Sequence, residues 1–115
     1  MKIKRGDIVL VDLGIHENSI QSGIRPCVIV SNDKANRYSP VFTVVPLTSR
    51  LNKKNYLPTH VFINAYQCDG LKSHSLALCE QMTTIAYGDI LEVSGRVSAY
   101  MMDKIGHAMR IQIGV

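Results

Sequence analysis

Five or six short apolar runs, rich in Val, Ile and Leu, follow one another along this chain, and only its last stretch changes period. Runs of four to eight such residues, bounded by Gly, Pro, Asn and Ser, read as β-strands. From Ser98 onward the apolar residues fall instead at Met101, Met102, Ile105, Ala108, Met109 and Ile113, the spacing of one helix face. Ser98 supplies an N-cap, and Gln112 interrupts the stripe near its end. Consecutive strands with a single terminal helix favour a mainly β fold, a small antiparallel, partly closed barrel, over βαβ winding.

The runs place the connections. Ile8–Leu13 is the first strand, and the polar stretch Gly14–Gly23 is an exposed loop of ten residues. Loops of that length in a compact domain are often binding loops. Cys27–Ser31 is the second strand, with Pro26 at its start, where a missing N–H is tolerated. Asn32 or Asp33 caps a helical turn that runs to Tyr38 and closes at Pro40. Val41–Thr48 is the third strand, Ser49–Leu57 a second polar loop, and Pro58–Ile63 a short strand. Ser73–Ile85 reads as one strand with Leu76, Leu78 and Met82 on one side, and Leu91–Val93 as a brief pairing segment.

With 115 residues the sequence reads as one domain, residues 1–115. No apolar run reaches the ~18–20 residues of a membrane span, and Met1–Asp7 lacks the apolar core of a signal peptide, so a cytoplasmic protein without membrane contact is expected. Cys27, Cys68 and Cys79 form neither a CxxC pair nor a disulfide framework and read as buried or indifferent thiols. The balance of 13 Lys and Arg against 9 Asp and Glu permits attraction to nucleic acid or to an acidic peptide without demanding either.

Phosphate-binding glycine loops, HExxH spacing and the GxSxG nucleophile elbow are all absent, and His16, His60, His74 and His107 are scattered. No metal or cofactor is expected. Position is more informative: Arg25 lies where the first loop meets a buried strand, and Thr48-Ser49-Arg50 where another strand opens into the second loop. A guanidinium offers five fixed donors that match phosphate oxygens, and a threonine hydroxyl can donate to the same group. On residue type alone, Arg25 could equally cap a carbonyl or pair with Glu80.

The order of segments narrows the choice. Arg5-Gly6-Asp7-Ile8, then Gly23-Ile24-Arg25-Pro26-Cys27-Val28-Ile29-Val30, Pro46-Leu47-Thr48-Ser49, Leu57-Pro58-Thr59-His60-Val61 and Glu80-Gln81-Met82-Thr83-Thr84-Ile85 together resemble the MazF/PemK toxin family along the whole chain. That resemblance implies an SH3-like small β-barrel with a C-terminal helix. It implies a sequence-specific, metal-independent and ribosome-independent endoribonuclease acting on single-stranded RNA, with no cofactor. It implies a homodimer neutralised by a MazE-like antitoxin whose acidic tail lies over the site and displaces the first loop. The family's catalytic arginine falls on Arg25 and its catalytic threonine on Thr48. By family position Gln21, Ser22, Ser49, Lys53, Leu57, Pro58, Glu80 and Gln81 border the RNA, and an ACA-containing, UACAU-like cleavage motif is the expectation. The sequence departs from the family pattern at Ile20 and Ser22, where relatives carry an acidic residue and a glycine; Glu17 and His16 lie out of register with it.

In such chemistry the RNA brings its own nucleophile, the 2′-hydroxyl, and a 2′,3′-cyclic phosphate and a 5′-hydroxyl result. Arg25 would neutralise charge on the phosphate oxygens and Thr48 would donate to them; Glu80 is the candidate general base. Two other classes share the architecture: a non-catalytic SH3-like binding module, and a gyrase-poisoning toxin that acts by binding a protein. Fold alone does not separate them; the presence of both Arg25 and Thr48 argues for the ribonuclease, while Ile20 and Ser22 keep open a degenerate family member that only binds an antitoxin-like partner or RNA.

Overall fold

In the computed structural model, residues 2–51 and 57–115 are described. The chain runs β1 (Asp7–Asp12), β2 (Ile24–Ile29), α1 (Asp33–Tyr38), β3 (Val41–Thr48), β4 (His60–Ile63), β5 (Ser75–Leu78), β6 (Thr83–Ala86), β7 (Ile90–Arg96) and α2 (Ala99–Ile113). The strands pair antiparallel in the order β4-β5-β3-β2-β1-β7, and β6 also pairs with β3. Among the described residues no ladder joins β4 to β7, so the curled sheet is barrel-like but open. No described helix is long and apolar enough to cross a membrane.

The continuous apolar runs follow from burial on both sheet faces. Ile8, Val28, Val45, Leu47, Val61, Ile63 and Ala77 pack with Met101, Ile105 and Ala108 of α2. The alternate residues Val9, Val11, Cys27, Ile29 and Val44 pack on the other face with Phe42, Ile85 and Ile90. Ser98 caps α2 by accepting the Met101 N–H at 3.2 Å, as its position predicts. Asn32 caps α1 in the same way, through the Ala35 N–H at 2.8 Å.

The structure corrects four expectations. β2 starts at Ile24, so Arg25 and Pro26 belong to it; the β2–β3 ladder begins only at Cys27, one residue past the proline whose missing N–H cannot join it. The segment Ser73–Ile85 is not one strand: a 3-10 turn at Cys79–Gln81 divides it. Leu47 faces Ala77 and Val44 faces Thr83, so β5 and β6 lie end to end along one edge of β3 with a three-residue excess extruded between them. β7 is seven residues long, not a brief pairing segment, because it follows β1 through two register shifts. Finally, the buried stripe of α2 stops short of Ile113: Met101, Ile105 and Ala108 are buried, whereas Ile113 is 62% exposed.

Candidate functional site

Arg25 faces Val11 across β1. Carried two steps beyond Cys27–Pro46, the β2–β3 register sets Arg25 opposite Thr48, and alternation puts both side chains on the sheet face away from α2. The two residues singled out in the sequence, 23 positions apart, thus become cross-strand neighbours. Arg25 Nε donates to the Ser22 carbonyl at 3.1 Å. The two terminal nitrogens have no hydrogen-bond partner among the described residues. Thr48 is 8% exposed, and its Oγ1 accepts the Arg50 N–H at 3.2 Å. Its hydroxyl proton remains available to donate.

The carbonyl-capping reading of Arg25 therefore holds for one nitrogen, and the pairing with Glu80 does not. Glu80 is engaged elsewhere: Thr59 Oγ1 donates to Oε1 at 3.0 Å, and His60 Nε2 lies 2.9 Å from Oε2. The Leu57 N–H donates to His60 Nδ1 at 3.2 Å, which leaves the proton on Nε2 and makes the imidazole a donor to Glu80. Thr59 and His60 are participants that the residue-by-residue reading missed. They sit some twenty positions from Glu80, and only the β4–β5 register, with His60 facing Leu78, brings them to it.

The first loop is closed at its neck. Gly23 N donates to Gly14 O at 2.7 Å and Leu13 N to Gly23 O at 2.9 Å. Both glycines have φ near +77° (78° and 76°), a left-handed conformation that other residues adopt at a cost. Gln81 clasps the loop from the extruded turn, accepting the Gln21 N–H at 2.7 Å and donating to Ser19 O at 3.0 Å. Beside it Gln21 Oε1 is buried without a partner, in a hollow of about 350 Å³ that His16, Ile20 and Pro46 also line. A buried acceptor left unmatched is costly unless a ligand or water meets it.

Gln81 is thus joined to Gln21 and Arg25 to Ser22 by direct hydrogen bonds, and Thr48 faces Arg25 by register, while Leu57 and Glu80 form a second cluster through His60. Ser49 is exposed in a hollow of about 560 Å³ with Leu51, Tyr66 and His74; the His74 ring lies between Phe62 and Tyr66, at 5.6 and 5.4 Å. Pro58 departs from the group, since it lines a hollow between β4 and α2 with Phe62, Tyr100 and His107. Lys53 lies outside the described residues. Burial pushes the Cys27 and Cys79 thiols up to about 12, so neither supplies a thiolate near neutral pH. Among the described residues no group of three or more His, Cys, Asp or Glu side chains is placed to hold a metal. The converging donors of Arg25 and Thr48 suit an anionic oxygen cluster such as a phosphate.

Residues 4–113 match the family of PemK-like, MazF-like toxins of type II toxin–antitoxin systems. The chain is 36% identical to the endoribonuclease EndoA of Bacillus subtilis over 115 residues, covering all of this chain and 97% of that one. It is 37% identical to the endoribonuclease MazF of Staphylococcus saprophyticus, covering 98% and 92%. Among solved structures, a mycobacterial endoribonuclease in complex with its cognate antitoxin superposes with a TM-score of 0.79 at 26% identity, covering 98% of this chain and 96% of that one. MazF of Deinococcus radiodurans superposes with a TM-score of 0.83 at 18% identity, covering 100% and 99%, a likeness of fold.

Proposed function

The chain belongs to the PemK-like, MazF-like toxins of type II toxin–antitoxin systems and is an endoribonuclease, and from that premise we propose that it cuts single-stranded RNA at the Arg25–Thr48 end of the sheet. The observation that carries the reading is the half-used guanidinium: Nε is anchored on Ser22 O, while among the described residues the terminal N–H groups have no hydrogen-bond partner. A phosphate held there is bound through two parallel N–H donors, with the Thr48 hydroxyl as a third.

The RNA 2′-oxygen attacks the adjacent phosphorus. A new P–O2′ bond forms, the P–O5′ bond breaks, and the products are a 2′,3′-cyclic phosphate and a 5′-hydroxyl. This route uses no metal-bound water. The 2′-proton passes to a base and the 5′-oxygen takes up a proton. A guanidinium is a donor without acceptor capacity, so the part of Arg25 is to neutralise charge on the phosphate oxygens, worth on the order of 3–4 kcal/mol for a single preorganised donor. Glu80, held by Thr59 and His60, is the carboxylate we assign to proton acceptance. Gln21, Ser22, Ser49, Lys53, Leu57, Pro58 and Gln81 border the strand in this reading. The unmatched Gln21 Oε1 supplies an acceptor for a base edge, and an ACA-containing motif is the expected target.

The partner we assign is a MazE-like antitoxin with an acidic tail; the mycobacterial relative was solved with its cognate antitoxin. We also assign a cytoplasmic homodimer. Phe62 of β4 and Tyr100, Ile111 and Ile113 of α2, 44%, 67%, 44% and 62% exposed, are apolar surface that a second copy would cover in this reading.

The test is incubation of the protein with a mixed RNA in excess EDTA, followed by mapping of both ends at each cut. Cuts at a common short motif, cyclic phosphate upstream and 5′-hydroxyl downstream, are expected. Intact RNA would favour a binding module, and 3′-hydroxyl or 5′-phosphate ends would overturn the mechanism.

A further inference from the structure

A further hollow on the described surface lies away from Arg25. It is a groove of about 890 Å³ at the opposite end of β2, between the N-terminal segment and α1. Lys2, Lys4, Lys34 and Arg37 line it, with Asp33 as the one carboxylate. Those five carry a net +3 of the chain's +4, so the remaining surface is nearly balanced. The charge of Asp33, whose Oδ1 accepts the Arg5 N–H at 2.7 Å and Asn36 Nδ2 at 3.3 Å, offsets one of the four cations and leaves three. Among the described residues none of the four cations forms an ion pair. The groove also presents aromatic surface: Tyr38 is 75% exposed and Tyr87 42% exposed, with Tyr87 backed by Phe42 at a centroid distance of 6.3 Å.

Cations interleaved with exposed rings are the composition of a surface that tracks a single nucleic-acid strand, phosphates on the lysines and bases on the rings. A surface for an acidic peptide needs the cations but gains little from the tyrosine faces. We propose that this groove is a second RNA-binding surface, which holds the single strand flanking the cut, beyond the far end of β2 and so more than roughly 13 Å of strand rise from Arg25. That the flanking strand belongs to a substrate rests on the ribonuclease reading above.

Binding is measured with fully 2′-O-methylated oligouridylate, which the proposed chemistry cannot cut, at lengths of about six and about twenty nucleotides. Expected is tighter binding of the longer probe. The double variant Lys34→Ala/Arg37→Ala should weaken that binding about tenfold and lower the slope of log Kd against log salt by about 1.4, for two lost phosphate contacts on a single strand. Tyr38→Ala should weaken it further, about fivefold or more, from the loss of one stacked base. Cleavage of a substrate of about six nucleotides should be unchanged in both variants. Long-probe affinity and salt slope that ignore Lys34 and Arg37 would overturn the proposal, even if RNA is cut normally. Polyglutamate displacing the probe from the groove while Tyr38→Ala has no effect would overturn it in favour of an acidic protein partner. Groove binding as described, with no cutting of any RNA, would sink the ribonuclease reading and leave the groove standing.

Discussion

Arg96 and Arg25 stand at opposite ends of the β1–β2 pair, and the fold treats them differently. Arg96 Nη1 donates to Asp7 Oδ1 at 2.8 Å, and the same carboxylate accepts the Lys4 N–H on Oδ2 at 2.8 Å. Arg5 beside them gives its side chain to the Val30 carbonyl and its N–H to Asp33. Arg96 and Asp7 match each other there, and Asp7 is only 8% exposed. At the far end Arg25 has one hydrogen bond, to Ser22, on one of its three nitrogens. A matched buried carboxylate holds the chain together; a half-matched guanidinium beside a ten-residue loop keeps donors that the described residues do not use, and the proposed function rests on that difference.

The largest effect expected from this contrast is at the open end. An RNA with 2′-deoxyribose immediately before the cut should be inert, a loss of more than about a thousandfold, because the nucleophile is gone. End-labelled RNA on a denaturing gel reads this, and cutting at the normal rate would show that water is the nucleophile. Thr48 comes next. Thr48→Val should lower the rate on the order of 10²-fold, the size of one lost donor, while Thr48→Ser, which keeps the hydroxyl, should restore most of it. If the valine and serine variants are equally slow, the hydroxyl is not what matters.

At the closed end the effect should move to stability. Asp7→Ala removes the partner of Arg96 and the acceptor for the Lys4 N–H. The Arg96 side chain is 55% exposed, so screening keeps the cost to about 1–3 kcal/mol. The denaturation midpoint should fall, with cleavage per folded molecule unchanged. A thousandfold loss of rate at an unchanged midpoint would erase the distinction between the two ends.

The smallest effect concerns the thiols under the sheet. Cys27 and Cys79 are raised from 9.0 to about 12 by burial, so the folded state favours the neutral thiol. Their contribution is complete below pH 9, the unfolded value, and fades as pH rises through about 12, since the unfolded chain ionises first. Both should resist iodoacetamide at neutral pH in the folded protein, while Cys68, only partly buried, reacts sooner. Rapid alkylation of Cys27 without unfolding would show that the Arg25 face is open to solvent at its base.

How much of this was legible in the sequence divides along the same axis. β1, β3 and α2 could be read because each keeps one period over its whole length, and Ser98 announced the helix it caps. The break at Cys79–Gln81 could not, because Leu76, Leu78 and Met82 carry the strand pattern straight through it. What stops the strand is its register against β3, a relation between segments some thirty residues apart. Arg25 and Thr48 were legible as strand-end residues and through family motifs, while the half-used state of the guanidinium needed the Ser22 carbonyl to be seen. The grip of Thr59 and His60 on Glu80, and of Gln81 on the first loop, had no local signal: each is made by short side chains that meet only after the sheet has formed. The basic groove was hidden for the same reason, since Lys2 and Lys4 lie some thirty positions from Lys34 and Arg37.

The most direct test is Arg25→Ala, with cleavage of an ACA-containing single-stranded RNA and the thermal midpoint measured on one preparation. The side chain is only partly buried and contributes one hydrogen bond to the fold, so the midpoint should stay within about 2–3 °C of the parent. The rate should fall by at least about a thousandfold, the upper range for loss of one preorganised donor. Parental cleavage at a parental midpoint would contradict the account, and so would a collapsed midpoint with normal cleavage by the molecules that remain folded.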